Sequence, residues 1–252
     1  MNDADATLLE ISGLSKSFGK YSVLADVNYR LRKGEIAAII GPNGAGKTTF
    51  FNLITGYHRV DSGTVRFQGR DITNWPRHRI ARAGISRAFQ VSNIYPRLTT
   101  YENVRQAILA QEKKTLDIIT RAGGLAKQDT LELLKLTGLL SNRDTVAGIL
   151  SQGDKKKLEL ALALAGKPEM LLLDEPTAGM SSEETHETME MVKRLNAQIG
   201  LTILFTEHDI SVIFGYARKL SVLYQGTLIA EGTPEEVRKN EEAQRCYLGE
   251  EV

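Results

Sequence analysis

The sequence predicts an α/β fold: a parallel sheet with helices around it, an antiparallel pair of strands before it and a helical unit inserted into it. Three observations predict this. Short apolar runs at 36–40, 170–173 and 201–205, the first of them wholly apolar, suit strands buried on both faces. Segments of helical pattern follow those runs in alternation. Between the first run and the second, about 92–167, the pattern is helical throughout.

Taken in order, 7–18 and 23–31 read as two strands of a hairpin-like pair, joined to the next strand by the turn Arg32-Lys33-Gly34-Glu35. The strand 36–40 runs straight into a glycine-rich loop, and a helix begins at about Lys47. Asp61-Ser62-Gly63 is a turn with a strand at 64–67 after it. In the helical stretch, Thr99-Thr100-Tyr101-Glu102 fits a capping box that starts a helix, and Gly123-Gly124 is expected to break it. Leu158, Ala161, Leu162 and Ala165 share one helix face. After the strand at 170–173, Ser181-Ser182-Glu183-Glu184 caps a helix that runs to about Gln198. The strand at 201–205 follows, and 219–224 with 227–231 forms a hairpin around Gln225-Gly226. The expected organisation is one domain over 1–252, with a core of 1–91 and 168–252 and a helical sub-domain of about 92–167.

Composition narrows the function class without naming it. The chain has 252 residues, 42% hydrophobic and 25% charged, which is ordinary for a globular domain. Its 32 basic and 31 acidic residues leave a net charge of +1, so no global field points to nucleic acid or a membrane surface. Cys246 is the only cysteine and cannot form an intrachain disulfide, which fits a reducing compartment. The polar, acidic start lacks the basic end and apolar stretch of a signal peptide. The longest apolar runs fall far short of the roughly 20 residues that span a bilayer, so a role at a membrane would be that of a peripheral subunit.

Three motifs carry chemistry. Gly41-Pro42-Asn43-Gly44-Ala45-Gly46-Lys47-Thr48 matches the phosphate-binding loop pattern and lies between a buried strand and a helix start, where the pattern has meaning. Its glycines let successive N–H groups face one concavity that holds phosphate oxygens, and the helix N-terminus adds positive potential. Lys47 is expected to reach the β- and γ-phosphates of a nucleotide and the Thr48 hydroxyl to ligate Mg²⁺; Thr49 belongs to the same binding turn. At the end of the strand 170–173 stand Asp174 and Glu175, at the carboxyl edge where ligands of such sheets bind. Asp174 suits the Mg²⁺ shell and Glu175 suits activation of an attacking water. The third motif is Leu150-Ser151-Gln152-Gly153-Asp154. Taken alone it is a plain helix cap, although a helix start with a hydroxyl and a glycine N–H is also an anion site.

The ordered set of phosphate loop, Gln90, Leu-Ser-x-Gly, Asp174-Glu175 and His208 resembles the ATPase subunits of ABC transporters, over nearly the whole chain. The resemblance implies a RecA-like core with an antiparallel β sub-domain and an inserted helical sub-domain, binding ATP with Mg²⁺. It implies a head-to-tail pair in which the Ser151–Gly153 turn of one subunit closes over the ATP held by Lys47 of the other. It also gives roles to Phe18, as the aromatic that stacks on adenine, to Gln90, as the sensor of Mg²⁺ and attacking water, and to His208, as the switch on the γ-phosphate. Each has a plainer alternative: a core aromatic, a solvated strand end and a structural histidine. Lys155-Lys156-Lys157 reads as a solvated helix face.

The sequence departs from the family pattern twice. Asp154 replaces the glutamine of Leu-Ser-Gly-Gly-Gln, and Ala178-Gly179-Met180-Ser181 replaces Ser-Ala-Leu-Asp, so Ser181 is expected to cap a helix. Residues 84–90 and 93–99, the segment 177–180 and the tail 246–250 are similar to the ATPases of the bacterial and archaeal branched-chain amino-acid uptake family. That resemblance implies a second, non-identical ATPase subunit (with a homodimer open to the chain in isolation), two transmembrane permease subunits and an extracytoplasmic solute-binding protein, with this chain on the cytoplasmic face. The alternative is the lipopolysaccharide-export ATPase, which has a similar stretch after the glutamine. The membrane contact is expected along 90–101, through Val91, Ile94, Tyr95 and Leu98. Two rivals come from other classes. A phosphate-loop kinase has no need of a Leu-Ser-x-Gly turn, and a soluble ABC protein on DNA or ribosomes usually carries two ATPase halves or a long coiled coil.

Overall fold

The computed structural model describes residues 6–88, 94–111 and 122–246. In chain order the elements are β1 (Thr7–Phe18), β2 (Tyr21–Arg32), β3 (Ile36–Ile40), α1 (Lys47–Ile54), β4 (Ser62–Phe67), β5 (Arg70–Asp71), α2 (Arg77–Ala83) and β6 (Ile85–Ala88). Then come α3 (Thr100–Gln111), α4 (Ala122–Leu136), α5 (Gln152–Leu164), β7 (Met170–Asp174), α6 (Ser182–Ile199), β8 (Thr202–Thr206), α7 (Ile210–Tyr216), β9 (Lys219–Tyr224), β10 (Thr227–Gly232), α8 (Pro234–Arg238) and α9 (Glu241–Cys246).

Two sheets result. β2-β1-β4-β5 is antiparallel, and β10-β9-β3-β8-β7-β6 is parallel apart from β10, which runs against β9. The apolar runs lie at the centre of the second sheet because both of its faces are covered. Along β3, Ala37 and Ile39 join the core shared with the antiparallel sheet and α1, while Ile36, Ala38 and Ile40 join the core under α6 and α7. Successive strand residues point to opposite faces, so a strand with two cores has no polar position to spare.

A third cluster packs α3, α4 and α5 together through Val104, Ile108, Leu134 and Leu158. α5 belongs to two cores at once. Leu158, Ala161 and Ala165 face the helical cluster, and Leu160 and Leu164 face the sheet. Burial of a leucine side chain contributes about 1.5–3 kcal/mol, so this helix is fixed firmly to both units.

The capping expectations hold. Glu102 Oε2 accepts from the Thr99 N–H (2.8 Å) and hydroxyl, and the Glu102 N–H donates back to Thr99 Oγ1. Ser181 and Glu184 form the same reciprocal pair at α6. Gly123-Gly124 does not break a helix: both lie in the first turn of α4, and glycine's entropic cost of about 0.5–1 kcal/mol relative to alanine applies to positions in the middle of a helix. The lysine run is not one solvated face either. Lys156 Nζ donates to the carbonyls of Pro176 (3.0 Å) and Ala178 (2.8 Å), and Lys157 pairs with Asp154 and Glu187. On the expected contact stretch, Tyr95 is 60% exposed, whereas Ile94 and Leu98 are half-buried and Ile94 packs on the helical cluster. Val91 lies outside the described residues, as do the tail positions from Tyr247 onward.

Candidate active site

The parallel sheet places three loops at one edge: those leaving β3, β7 and β8 at their carboxyl ends. β3 pairs directly with β8, and β8 with β7. The residues the sequence marked as Lys47, Asp174, Glu175 and His208 therefore converge.

The phosphate loop is held where only glycine fits. Gly46 caps α1 at φ 107°, and a Cβ there would lie 2.8 Å from Leu24 Cδ2 and 2.9 Å from the Val23 carbonyl oxygen. At Gly41 a Cβ would lie 1.9 Å from the carbonyl oxygen of Leu223. The loop is thus pressed against β2 and β9, and its Ala45 N–H bonds the Pro42 carbonyl (3.1 Å), closing the turn. Asn43, Gly44 and Thr48 are exposed, Pro42 and Thr49 half-buried, and Ala45 buried.

Lys47 is 8% exposed, and its Nζ donates to the carbonyls of Gly41 and Pro42. Burial pushes its ammonium below the usual 10.5, against the attraction of Glu175 and then Asp174. It is a partly desolvated cation held over its own loop and facing two carboxylates.

Asp174 is engaged by protein on both oxygens. Oδ2 lies 2.6 Å from Arg87 Nη2, and Oδ1 accepts from the Thr206 hydroxyl at 2.9 Å. Arg87 also donates to Asn52 Oδ1 at 2.7 Å. Glu175 stands at φ 51°, a left-handed conformation that costs a non-glycine residue about 1–2 kcal/mol. Its N–H donates to the Thr206 carbonyl (3.1 Å), and its Oε1 lies 3.0 Å from His208 Nε2. An ionised carboxylate only accepts, so Nε2 carries the proton of this bond and Nδ1 is left as the acceptor in neutral imidazole.

Phe18 is not a core residue. It ends β1 at 43% exposure, edge-on to His58 with ring centroids 5.2 Å apart. Ser151 caps α5, accepting from the Asp154 N–H at 3.1 Å, and is exposed, while Gly153 is buried beside Glu184. Asp154 turns its charge inward on its own chain, to Asn142 Nδ2 (2.9 Å) and Lys157 Nζ (3.7 Å). Gln90 lies outside the described residues. Sequence reasoning missed Arg87, Asn52, Thr177, Thr206 and Glu207. Arg87 stood in a stretch already singled out, but nothing in one dimension joins it to Asp174, 87 residues away.

The residues fit a magnesium nucleotide. The cradle excludes every Cβ at Gly41 and Gly46, and its helix N-terminus and lysine are cationic. Among the described residues no cluster of three His, Cys, Asp or Glu could hold a metal by itself. Magnesium suits such a site, because it binds through one or two protein oxygens together with phosphate oxygens.

Comparison with known proteins agrees. The profile of the ABC transporter family matches residues 24–178, and that of the branched-chain amino acid ATP-binding cassette transporters matches 227–252. This chain belongs to the ATP-binding subunits of the branched-chain amino-acid family of ABC transporters. The high-affinity branched-chain amino acid transport ATP-binding protein LivG of Salmonella typhimurium is 38% identical over 250 residues, covering 96% of this chain and 98% of its own. BraF of Pseudomonas aeruginosa, of the same description, is 34% identical over 251 residues, covering 96% and 98%. The ADP conformation of MJ1267, an ATP-binding cassette of an ABC transporter, superposes with a TM-score of 0.86 at 31% identity, covering 97% and 99%. The dimeric post-hydrolysis cassette MJ0796, bound to ADP and Pi, superposes with a TM-score of 0.76 at 26% identity, covering 90% and 99%. The cassette is accordingly an ABC ATPase with the RecA-like fold of its family.

Proposed function

We propose that this ATPase powers uptake of branched-chain amino acids or related small organic solutes. In this reading it pairs head to tail with a second, non-identical ATPase subunit on the cytoplasmic face of a bacterial or archaeal membrane. Two permease subunits stand above the pair, and an extracytoplasmic binding protein delivers solute. Among the described residues no helix is long and apolar enough to cross a membrane. The chain acts as one domain, 1–252, with a core of 1–91 and 168–252 and a helical sub-domain of about 92–167. The names of the relatives and the match at 227–252 support the choice of solute. A lipopolysaccharide export ATP-binding protein of Haemophilus influenzae, 35% identical over 245 residues, keeps export as the second reading.

The observation that carries the hydrolytic reading is the convergence of Lys47, Asp174, Glu175 and His208 at one sheet edge. The N–H groups of 41–48 and the Lys47 ammonium bind the triphosphate tail, and Phe18 stacks on the base. Thr48, Asp174 and Gln90 hold magnesium, which when bound neutralises charge on the phosphates. The Glu175 carboxylate takes a proton from water as the water oxygen bonds the γ-phosphorus and the bond to the departing ADP oxygen breaks. His208 keeps Glu175 aimed through Nε2–H, and turns to the γ-phosphate when the site is filled. The Ser151–Gly153 turn of the opposing subunit closes the site.

Glu175→Gln tests this. The variant keeps size and shape but loses the base, so it should bind ATP, accumulate as an ATP-bound dimer in size-exclusion chromatography with light scattering, and lose turnover by at least about 10²-fold. Unchanged turnover would remove Glu175 from the mechanism.

A further inference from the structure

The loops that carry Glu175 and His208 are joined at a point that the hydrolytic chemistry does not touch. Glu207 is 4% exposed. Its Oε1 accepts from both the N–H (2.8 Å) and the hydroxyl (2.6 Å) of Thr177, and its Oε2 accepts from the His208 N–H at 3.1 Å. Thr177 is itself buried. From the other side, Lys156 on α5 bonds the carbonyls that flank Thr177 in sequence, those of Pro176 and Ala178. Burial lowers the Lys156 ammonium from its usual value, and Glu207 is the foremost of the charges that offset this.

We propose that Glu207 is a positioning residue of the active site: its buried carboxylate clasps Thr177 and the His208 backbone, and so sets the contact between Glu175 and His208. Thr177 lies two residues after Glu175, and the clasped amide is that of His208 itself. One carboxylate therefore fixes the spacing of the two loops. Glu175 also needs such a clasp, because its left-handed backbone persists only where surrounding bonds over-determine it. Charge-assisted bonds in a site shielded from water are strong and short, which suits them to this work. Lys156 extends the clasp to the helix that begins at Ser151–Gly153. A shift of that helix is thereby transmitted to the loop of the catalytic carboxylate in the same subunit. Nothing in the linear sequence suggests this, since Thr177 and Glu207 are 30 residues apart.

The inference rests on the reading of Glu175 and His208 as the hydrolytic pair, so both are tested beside it in the full-length chain. Thr177→Val removes one donor at nearly constant volume, and Thr177→Ser restores it. Thr177→Val should lower kcat about tenfold or more, because a small misplacement of a catalytic group is costly. The KM for ATP and directly measured ATP affinity should stay within about twofold, and Thr177→Ser should recover most of the lost rate. Glu207→Gln should also lower kcat, since its amide nitrogen must face the N–H of His208 or the donors of Thr177. It decides the matter by the same readouts should Thr177→Val not fold. Turnover of Thr177→Val within about twofold of the parent, with Glu175→Gln inactive, would overturn the inference alone. So would equal losses of kcat and ATP affinity without rescue by serine, which would mark a structural brace. Full turnover in both Glu175→Gln and His208→Ala would instead overturn the reading beneath it.

Discussion

Arg87→Met isolates the partly buried ion pair behind the active site. Arg87 and Asp174 are only 10% and 13% exposed in their side chains, and their closest atoms are 2.6 Å apart. Burial alone pushes the arginine below its usual basicity, and the Asp174 bond and charge work against that. Methionine fills a similar volume without charge, so the packing loss is small. What remains is a carboxylate hydrogen-bonded only by the neutral donor Thr206, with the Lys47 charge acting on it through space. Removing one partner of a buried pair costs about 3–5 kcal/mol, and the residual exposure here favours the lower end, about 3 kcal/mol. For a chain of this length that is a fall of about 6–12 °C in melting temperature. Asp174→Asn in the Arg87→Met background should recover part of the loss, because the uncompensated charge is then gone, and the coupling from the double-mutant cycle should be at least about 1 kcal/mol. Differential scanning calorimetry of the four proteins without nucleotide measures both quantities. A melting temperature for Arg87→Met within about 1 °C of the parent, or additive single effects, would refute the argument that this pair is desolvated and coupled.

Further outcomes follow from the same geometry. Lys47→Ala removes the cation over the phosphate loop and should weaken ATP binding about 10–100-fold in isothermal titration calorimetry, with ordinary affinity contradicting the loop's role. Gly41→Ala places its Cβ 1.9 Å from a backbone oxygen and should destabilise the fold by at least about 3 kcal/mol in urea titration. Gly44→Ala meets nothing within 4 Å, and should cost only the strain of φ 82°, about 1 kcal/mol. Glu102, Glu184 and Glu236 accept from backbone N–H groups and hydroxyls at helix starts, which holds their carboxyls below the ordinary 4.5. A depressed folded value means that this stabilisation is complete above pH 4.5 and is lost as pH falls through the folded values. A triple glutamine variant should therefore flatten the acid side of the melting curve, and an unchanged acid slope would count against the caps.

The sequence by itself determined the order of the chemistry. A phosphate loop is legible because its glycines and lysine must be contiguous, and they must stand between a buried strand and a helix. Capping boxes such as Thr99–Glu102 and Ser181–Glu184 are legible for the same reason: both partners lie within one turn. The strands β3 and β7 were legible because a sheet with two cores leaves their buried positions apolar. Short elements such as α2, β5 and α7 carry too few residues for a period to show. Gly123-Gly124 misled because the cost of glycine depends on its place along the helix, which the pattern did not fix.

Only the tertiary structure decided which side chains hold the catalytic ones in place. Arg87 on Asp174, and Glu207 between Thr177 and His208, join residues 87 and about 30 positions apart. Asp154, which departs from the family pattern in one dimension, accepts a hydrogen bond from Asn142 and pairs with Lys157 of its own chain. Such contacts exist because parallel strands distant in sequence lie side by side and release their loops at one edge. Periodicity and spacing act over a few residues, whereas the pairing of β7 with β6 and β8 is fixed by the burial of the whole sheet.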